Sequence, residues 1–383
     1  MTKTALINGR ILTPQGFVSN RVLVIENGTI AEICDDQNIP SDHTIIHDVN
    51  GNTLLPGLID LQVNGGGGVL FNDDPSVGGI RKIVAAHRRF GTTGFLPTLI
   101  SDDMDIMKMA IKAVDQAIKE GVPGVLGVHL EGPFLNINKR GVHDAAHIKK
   151  LEDEFITLLA SLQYGKTLVT LAPEQTEPGL TRKLVQVGVI VAAGHTLANY
   201  AQTLAALDAG LTGFTHLFNA MRPLDSREPG VIAAALEDSR AWCGIIADGH
   251  HVHPAMLRLA YRAKLDKQIF LVTDAMPSVG AKAKNFMLGD QTISVSGGKC
   301  VTENNQLAGS DLNMMEAVKN AADMLEIDLE HTVKMASGLP AQFIGLDKTH
   351  GEIRIGAQAD IIEISANMTV LNSWIGGEKI SYA

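Results

Sequence analysis

The chain is poor in cysteine: Cys34, Cys243 and Cys300 are odd in number and far apart in sequence. That pattern excludes a disulfide framework and a cysteine-based zinc site, and it suits a reducing cytoplasm. The first residues, MTKTALINGRILTP, lack the basic stretch, apolar core and small-residue cleavage point of a secretory leader. No run of about 20 apolar residues follows, so no membrane-spanning helix is expected. Positive charge is in deficit, and a net charge of −10 argues against nucleic acid or an anionic membrane as a bulk partner, because both attract basic surfaces. Also missing is a G-x-G-x-x-G fingerprint between strand and helix; the run Gly65 to Gly68 has the wrong spacing and reads as a tight loop.

What is present is a globular composition, 45% hydrophobic and 19% charged, in a chain long enough for one large core and a smaller unit. Short strands are expected at Ala5 to Leu12, Arg21 to Glu26, Thr29 to Ile33 and Thr44 to Asp48, with Asn27-Gly28 as a tight hairpin turn. Similar texture returns at Ile353 to Ile355, Asp360 to Ile364, Thr369 to Leu371 and Trp374 to Ile375. Neither end holds enough strands for a stable sheet alone, so the termini are expected to pair into one small β-sandwich domain. The expected division is 1–55 and 348–383 for that domain, with 56–347 between them.

In that central part short apolar strands alternate with helical stretches, the pattern of βαβ units around a parallel sheet. Eight strands are read, at Leu58 to Gln62, Gly94 to Thr98, Val125 to Glu131, Thr167 to Pro173, Val189 to His195, Gly213 to His216, Trp242 to Asp248 and Ile269 to Asp274. Eight strands close a (β/α)8 barrel, a TIM barrel of the α/β class. The segment Asp102 to Glu120 places Met107, Ala110, Ile111, Val114 and Ile118 on one helical face and is assigned to the outer layer.

Catalytic groups of such barrels come from strand C-terminal ends. Strands three, five, six and eight end in Glu131, His195, His216 and Asp274. One carboxylate and two imidazoles on one rim form a three-ligand site for a divalent cation, with a position left open. Asp274 on the same rim can then handle a proton. His129 shares a face with Glu131 but lies one layer lower, and is not expected to be a ligand.

The segments Pro56 to Asp60, His129-Leu130-Glu131-Gly132-Pro133, Ala193 to Thr196, Thr215-His216-Leu217-Phe218-Asn219-Ala220-Met221 and Val272 to Ala275 resemble the N-acetylglucosamine-6-phosphate deacetylases of the amidohydrolase superfamily. The resemblance covers nearly the whole chain. It implies hydrolysis of the acetamide of an amino-sugar phosphate, with Glu131, His195 and His216 as ligands and Asp274 as proton carrier. It further implies that His143 polarises the carbonyl, that Asn219, the Ala220 N–H, Arg227 and His251 bind phosphate, and that Arg227 serves the neighbouring subunit of a homodimer. His250 and His253, beside His251, are expected to be structural or peripheral.

The wider superfamily often carries His-x-His at the end of strand one, where this chain has Gln62 and Asn64. Neutral amides are poorer metal ligands, so one divalent ion per subunit is expected. Zinc suits two imidazoles and a carboxylate; iron, cobalt and manganese stay open. N-Acetylgalactosamine 6-phosphate stays open as the alternative substrate. A cyclic-amide hydrolase is disfavoured by Gln62, Asn64 and the lack of a strand-end lysine, and an inactive sugar-phosphate sensor by the presence of all four rim residues.

Overall fold

The computed structural model describes residues 3–36, 44–264 and 268–382. Its centre is a parallel sheet in which neighbours follow chain order. Strands one to eight of the barrel are Leu58–Val63, Thr92–Ile100, Gly127–Glu131, Lys166–Leu171, Ile190–Ala193, Gly213–Phe214, Trp242–Ile245 and Ile269–Leu271. Strands one and three are buried at every position, as expected where side chains fill the barrel on one face and helices cover the other.

Strand eight returns to strand one across a short seam rather than a full ladder. The Asp274 N–H donates to the Gln62 carbonyl at 3.0 Å, and Val63 bridges Ala275. The fully buried Asp60 accepts from the Thr273 N–H at 3.2 Å and from the Thr273 hydroxyl. A side-chain carboxylate therefore supplies acceptors where ladder bonds are few. The seam matters because Asp274 lies on it.

The helix expected at Asp102 to Glu120 spans Met104–Lys119 and buries Met107, Ala110, Ile111 and Val114. Its neighbour Val77–Arg88 is capped by Ser76, whose side chain accepts from the Gly79 N–H. At the end of that helix Arg88 donates to the Ser373 hydroxyl at 2.9 Å and to the Glu378 carbonyl at 2.6 Å, tying the barrel to the C-terminal strands.

The two termini share one eight-stranded sheet. Lys3–Thr13, Gly16–Glu26, Thr29–Asp35, Thr44–Asp48 and Thr53–Pro56 join Ile361–Ile364, Val370–Ile375 and Glu378–Ser381. The junction is antiparallel, with Pro56 opposite Ile361 and Thr53 opposite Ile364. Leu6, Ile11, Leu23, Ile30, Leu54, Ile361 and the fully buried Trp374 form its core. Asn27 and Gly28 both take positive φ, 51° and 77°, the conformation their hairpin turn requires.

Three sequence expectations need correction. Ile353 to Ile355 is no strand: Ile353 is 1% exposed and Ile355 60%, whereas residues two apart in a strand share a face. The strand Glu378–Ser381 and a four-stranded antiparallel insert, Phe286–Leu288, Gln291–Ser296, Lys299–Val301 and Leu307–Ser310, were not anticipated. Glu378–Ser381 is exposed throughout and has no buried face to read, whereas Gln291–Ser296 alternates, with Ile293 buried between exposed Thr292 and Ser294, ahead of the Gly297-Gly298 turn. Finally, strands five, six and eight stop short of His195, His216 and Asp274. Among the described residues no helix is long and apolar enough to cross a membrane.

Candidate active site

At the C-terminal mouth of the barrel lies a cavity of about 350 Å³, lined by Glu131, His143, His195, His216, Asn219, Ala220, His251 and Asp274 among others. Eight of the nine anticipated site residues thus meet in one place. Arg227 does not: it is exposed, lies outside the cavity of its own chain, and its backbone N–H donates to Asp225 at 2.9 Å.

Backbone geometry explains how residues beyond the strand ends reach inward. His195, His216 and Asp274 have φ of 49°, 34° and 54°, and Ala220 has 50°. Non-glycine residues rarely adopt this region, and each such placement costs about 1–3 kcal/mol unless surrounding contacts hold it. Its repetition around one rim marks a site that tertiary structure maintains.

Glu131 Oε1 lies 3.1 Å from His195 Nε2 and 2.9 Å from His216 Nε2, and the two ring nitrogens are 3.1 Å apart. All three side chains are buried. His195 Nδ1 faces the Lys139 carbonyl at 2.8 Å; a carbonyl only accepts, so the proton sits on Nδ1 and the Nε2 lone pair points to the centre. Lone pairs from two imidazoles and a carboxylate, all within 4.8 Å of one another, repel unless a positive charge lies between them. Burial opposes charge on both His216 and Glu131. Even so, when Nε2 protons rather than a cation fill the centre, the hydrogen bond to Glu131 raises His216, and the N–H groups of the two imidazoles hold Glu131 well below the usual carboxylate range. This donor set fits a divalent cation.

Asp274 is tied back by two amides. Gln62 Nε2 donates to its Oδ1 at 3.0 Å and Asn64 Nδ2 at 2.6 Å, while Gln62 Nε2 also reaches Glu131 Oε2 at 3.1 Å. Gln62 and Asn64 therefore act as donors that orient carboxylates. Burial, and after it the charge of Glu131, pushes the Asp274 carboxyl up to about 6. His143 Nδ1 accepts from the Ser101 N–H at 3.2 Å, which leaves the proton on Nε2. Burial, then the neighbouring His195, lowers His143 to about 3, so the ring is a neutral donor.

Across the cavity His251 Nδ1 lies 2.6 Å from Asp248 Oδ2, and Asp248 Oδ1 accepts from the N–H groups of His250 and His251. Burial of Asp248 is outweighed by these hydrogen bonds, and its carboxyl sits below the ordinary value. His250 Nε2 meets the Gly297 carbonyl at 3.0 Å and His253 caps the helix Pro254–Ala263, both structural duties. His129 spans Thr98 and Thr170 inside the barrel, away from the cavity lining.

Sequence reasoning passed over Asp60, Asp248 and Glu174, and the insert residues Gln306, Leu307 and Gly309 that line the cavity. Asp248 was findable, since it closes the seventh expected strand; the insert residues carried no comparable signal.

The fold and the rim define a barrel hydrolase with a candidate cation site, and the profile of the amidohydrolase family matches residues 53–380. The chain belongs to that family. It is 42% identical, over 88% of its length and 85% of the relative's, to an N-acetylgalactosamine-6-phosphate deacetylase of Shewanella sp. (strain ANA-3). It is 35% identical, over 98% of its length and 99% of the relative's, to an N-acetylglucosamine-6-phosphate deacetylase of Haemophilus influenzae. The crystal structure of N-acetylglucosamine-6-phosphate deacetylase from Pasteurella multocida superposes with a TM-score of 0.95 at 34% identity, covering 99% of this chain and all of that one.

Proposed function

We propose that this chain hydrolyses the acetamide of N-acetyl-D-glucosamine 6-phosphate, releasing D-glucosamine 6-phosphate and acetate in the amino-sugar catabolism of the cytoplasm. The observation that carries this reading is the convergence of Glu131, His195, His216, Asp274 and His143 on one cavity. Its volume of about 350 Å³ is adequate for a phosphorylated monosaccharide, since small-molecule sites run from about 300 to 1,000 Å³.

Glu131, His195 and His216 would hold one divalent ion per chain, zinc by the match of two imidazoles and a carboxylate. Bound there, such an ion supplies Lewis acidity that acidifies water and polarises a carbonyl at neutral pH. Asp274, its Oδ1 fixed by Gln62 and Asn64, takes the proton of the attacking water on Oδ2. It then delivers that proton to the departing amine, because an amide nitrogen must be protonated to leave. His143 donates Nε2–H to the carbonyl oxygen as negative charge grows on it.

His251, Asn219 and the Ala220 N–H form the phosphate end of the cavity. Arg227, exposed and not among the residues that line its own cavity, serves the neighbouring copy in a homodimer; its fork binds two phosphate oxygens at once. The name of the 42% identical relative favours a second reading in which the substrate is the galactosamine epimer, one hydroxyl inverted.

Acetate release from both epimeric sugar phosphates by metal-analysed protein tests the proposal. The expected result is close to one zinc per chain and a higher kcat/KM for the glucosamine epimer. Preference for the other epimer replaces the substrate with the second reading, two tightly held ions per chain refute the single-ion site, and no release from either refutes the activity.

A further inference from the structure

Strand four contributes nothing to the cavity lining, yet the turn after it, Pro173–Gln175, carries a side chain that reaches both neighbouring loops. Glu174 Oε1 accepts from Asn136 Nδ2 at 2.8 Å and from the Leu197 N–H at 2.6 Å, and Oε2 accepts from the Thr196 hydroxyl. The two segments it joins are those that hold His195. The Asn136 N–H donates to the His195 carbonyl at 3.0 Å, and the Lys139 carbonyl receives His195 Nδ1–H at 2.8 Å. Thr196 and Leu197 follow His195 directly.

We infer that Glu174 is a positioning residue for the cation site: one carboxylate clamps segment 136–139 to segment 195–197 and so sets the direction of the His195 Nε2 lone pair. Three features of the contacts require an acceptor here. The Asn136 Oδ1 is already engaged by the Asn138 N–H at 2.9 Å, which turns its NH2 toward Glu174. Thr196 Oγ1 accepts from the Ala198 N–H at 2.9 Å, so its own proton is free for Glu174. The third partner is a backbone N–H. All three are donors, and a carboxylate presents acceptors on both oxygens.

The clamp is needed because His195 stands at φ 49°, where a non-glycine residue is held only by its surroundings, against about 1–3 kcal/mol. The constraint extends further, since the Thr196 N–H donates to the Ala220 carbonyl at 3.0 Å. Glu174 thereby links the loops after strands three, five and six, which carry His143, His195 and Ala220.

The inference rests on the proposed cation site but not on the proposed substrate. Wild type, E174Q and E174A are compared with and without zinc, reading the zinc Kd by chelator competition and the Tm of each form. E174A is expected to weaken zinc by about 10–100-fold, the usual effect of removing a group that orients a metal ligand, and to shrink the rise in Tm that zinc produces. E174Q keeps the shape and an acceptor for Asn136 and Leu197 but turns a donor to Thr196, so its Kd falls between the two. An unchanged zinc Kd in E174A, with equal loss of Tm in both forms, overturns the inference. Should E174A fail to fold, E174Q decides by the same measurement. Weakened zinc binding in a protein that deacetylates neither sugar phosphate leaves Glu174 in its role and removes only the substrate reading.

Discussion

Asp274→Asn separates chemistry from architecture at the barrel mouth. Asparagine has the shape of aspartate and can offer its oxygen to Gln62 Nε2 and Asn64 Nδ2, the donors now on Asp274 Oδ1 at 3.0 and 2.6 Å. Its NH2 then faces the cavity where a proton acceptor is required. Loss of general acid–base catalysis predicts a fall in kcat of about 10²–10⁴-fold, or about 3–6 kcal/mol at about 1.4 per decade. The proposed ligands Glu131, His195 and His216 are untouched, so zinc content should stay at the wild-type level.

Stability should move the other way. In metal-free protein the Asp274 carboxyl is raised from 3.8 to about 6, so between those values the folded chain keeps a proton that the unfolded chain has lost. Stability from this group is therefore lost as pH rises through that window, and above it the ionised form costs up to about 3 kcal/mol. The variant lacks that penalty. Denaturant unfolding at pH 8 should find metal-free Asp274→Asn more stable than wild type, with the difference vanishing near pH 4. Near-normal kcat in a zinc-loaded variant refutes the proton-carrier role, and parallel loss of zinc refutes the division between ligand and base.

Asp60→Asn should show the same sign on a larger scale: burial raises this carboxyl to about 7, so the variant should gain up to about 4 kcal/mol relative to wild type between pH 4 and 7, read from urea unfolding across that range. A flat difference there would show that Thr273 and the Gln62 N–H keep Asp60 ionised in the fold. Arg227→Lys keeps the charge but loses the fork, and kcat/KM on the phosphorylated sugar should drop roughly 10–150-fold, the equivalent of about 1.5–3 kcal/mol, with the unphosphorylated sugar nearly unaffected. Mixing Arg227→Lys with Asp274→Asn chains should restore activity above either parent if Arg227 acts on the neighbouring subunit. Verified heterodimers that stay inactive place it in its own site.

The site was legible to the extent that it follows from strand ends. Glu131, His195, His216 and Asp274 could be read because a βαβ barrel puts the ends of its strands, and the two or three residues just beyond them, on one rim, and an alternation of apolar strands and amphipathic helices announces that barrel in one dimension. Glu174 and Asp60 were not legible. Their partners, Asn136 and Thr196 for one and Thr273 for the other, lie 22 to 213 residues away, and no local pattern encodes such a distance. The insert at Phe286–Ser310 was legible in part and was overlooked: Gln291–Ser296 alternates Ile293 and Val295 with polar residues, and Gly297-Gly298 after it, both at positive φ, makes a hairpin turn to Lys299–Val301.

The sequence by itself determined the period of the core, the number of barrel strands, the return of the C-terminus to the N-terminal sheet and the chemical types gathered on the rim, since each is written in local hydrophobic spacing or in residue identity. Only the tertiary structure decided which nitrogen of His195 faces the centre, which oxygen of Asp274 is tied back, why His143 is a neutral donor, and that Arg227 stands outside its own cavity. Those properties depend on burial and on hydrogen-bond partners brought together by closure of the barrel, and such partners exist only when the chain is folded.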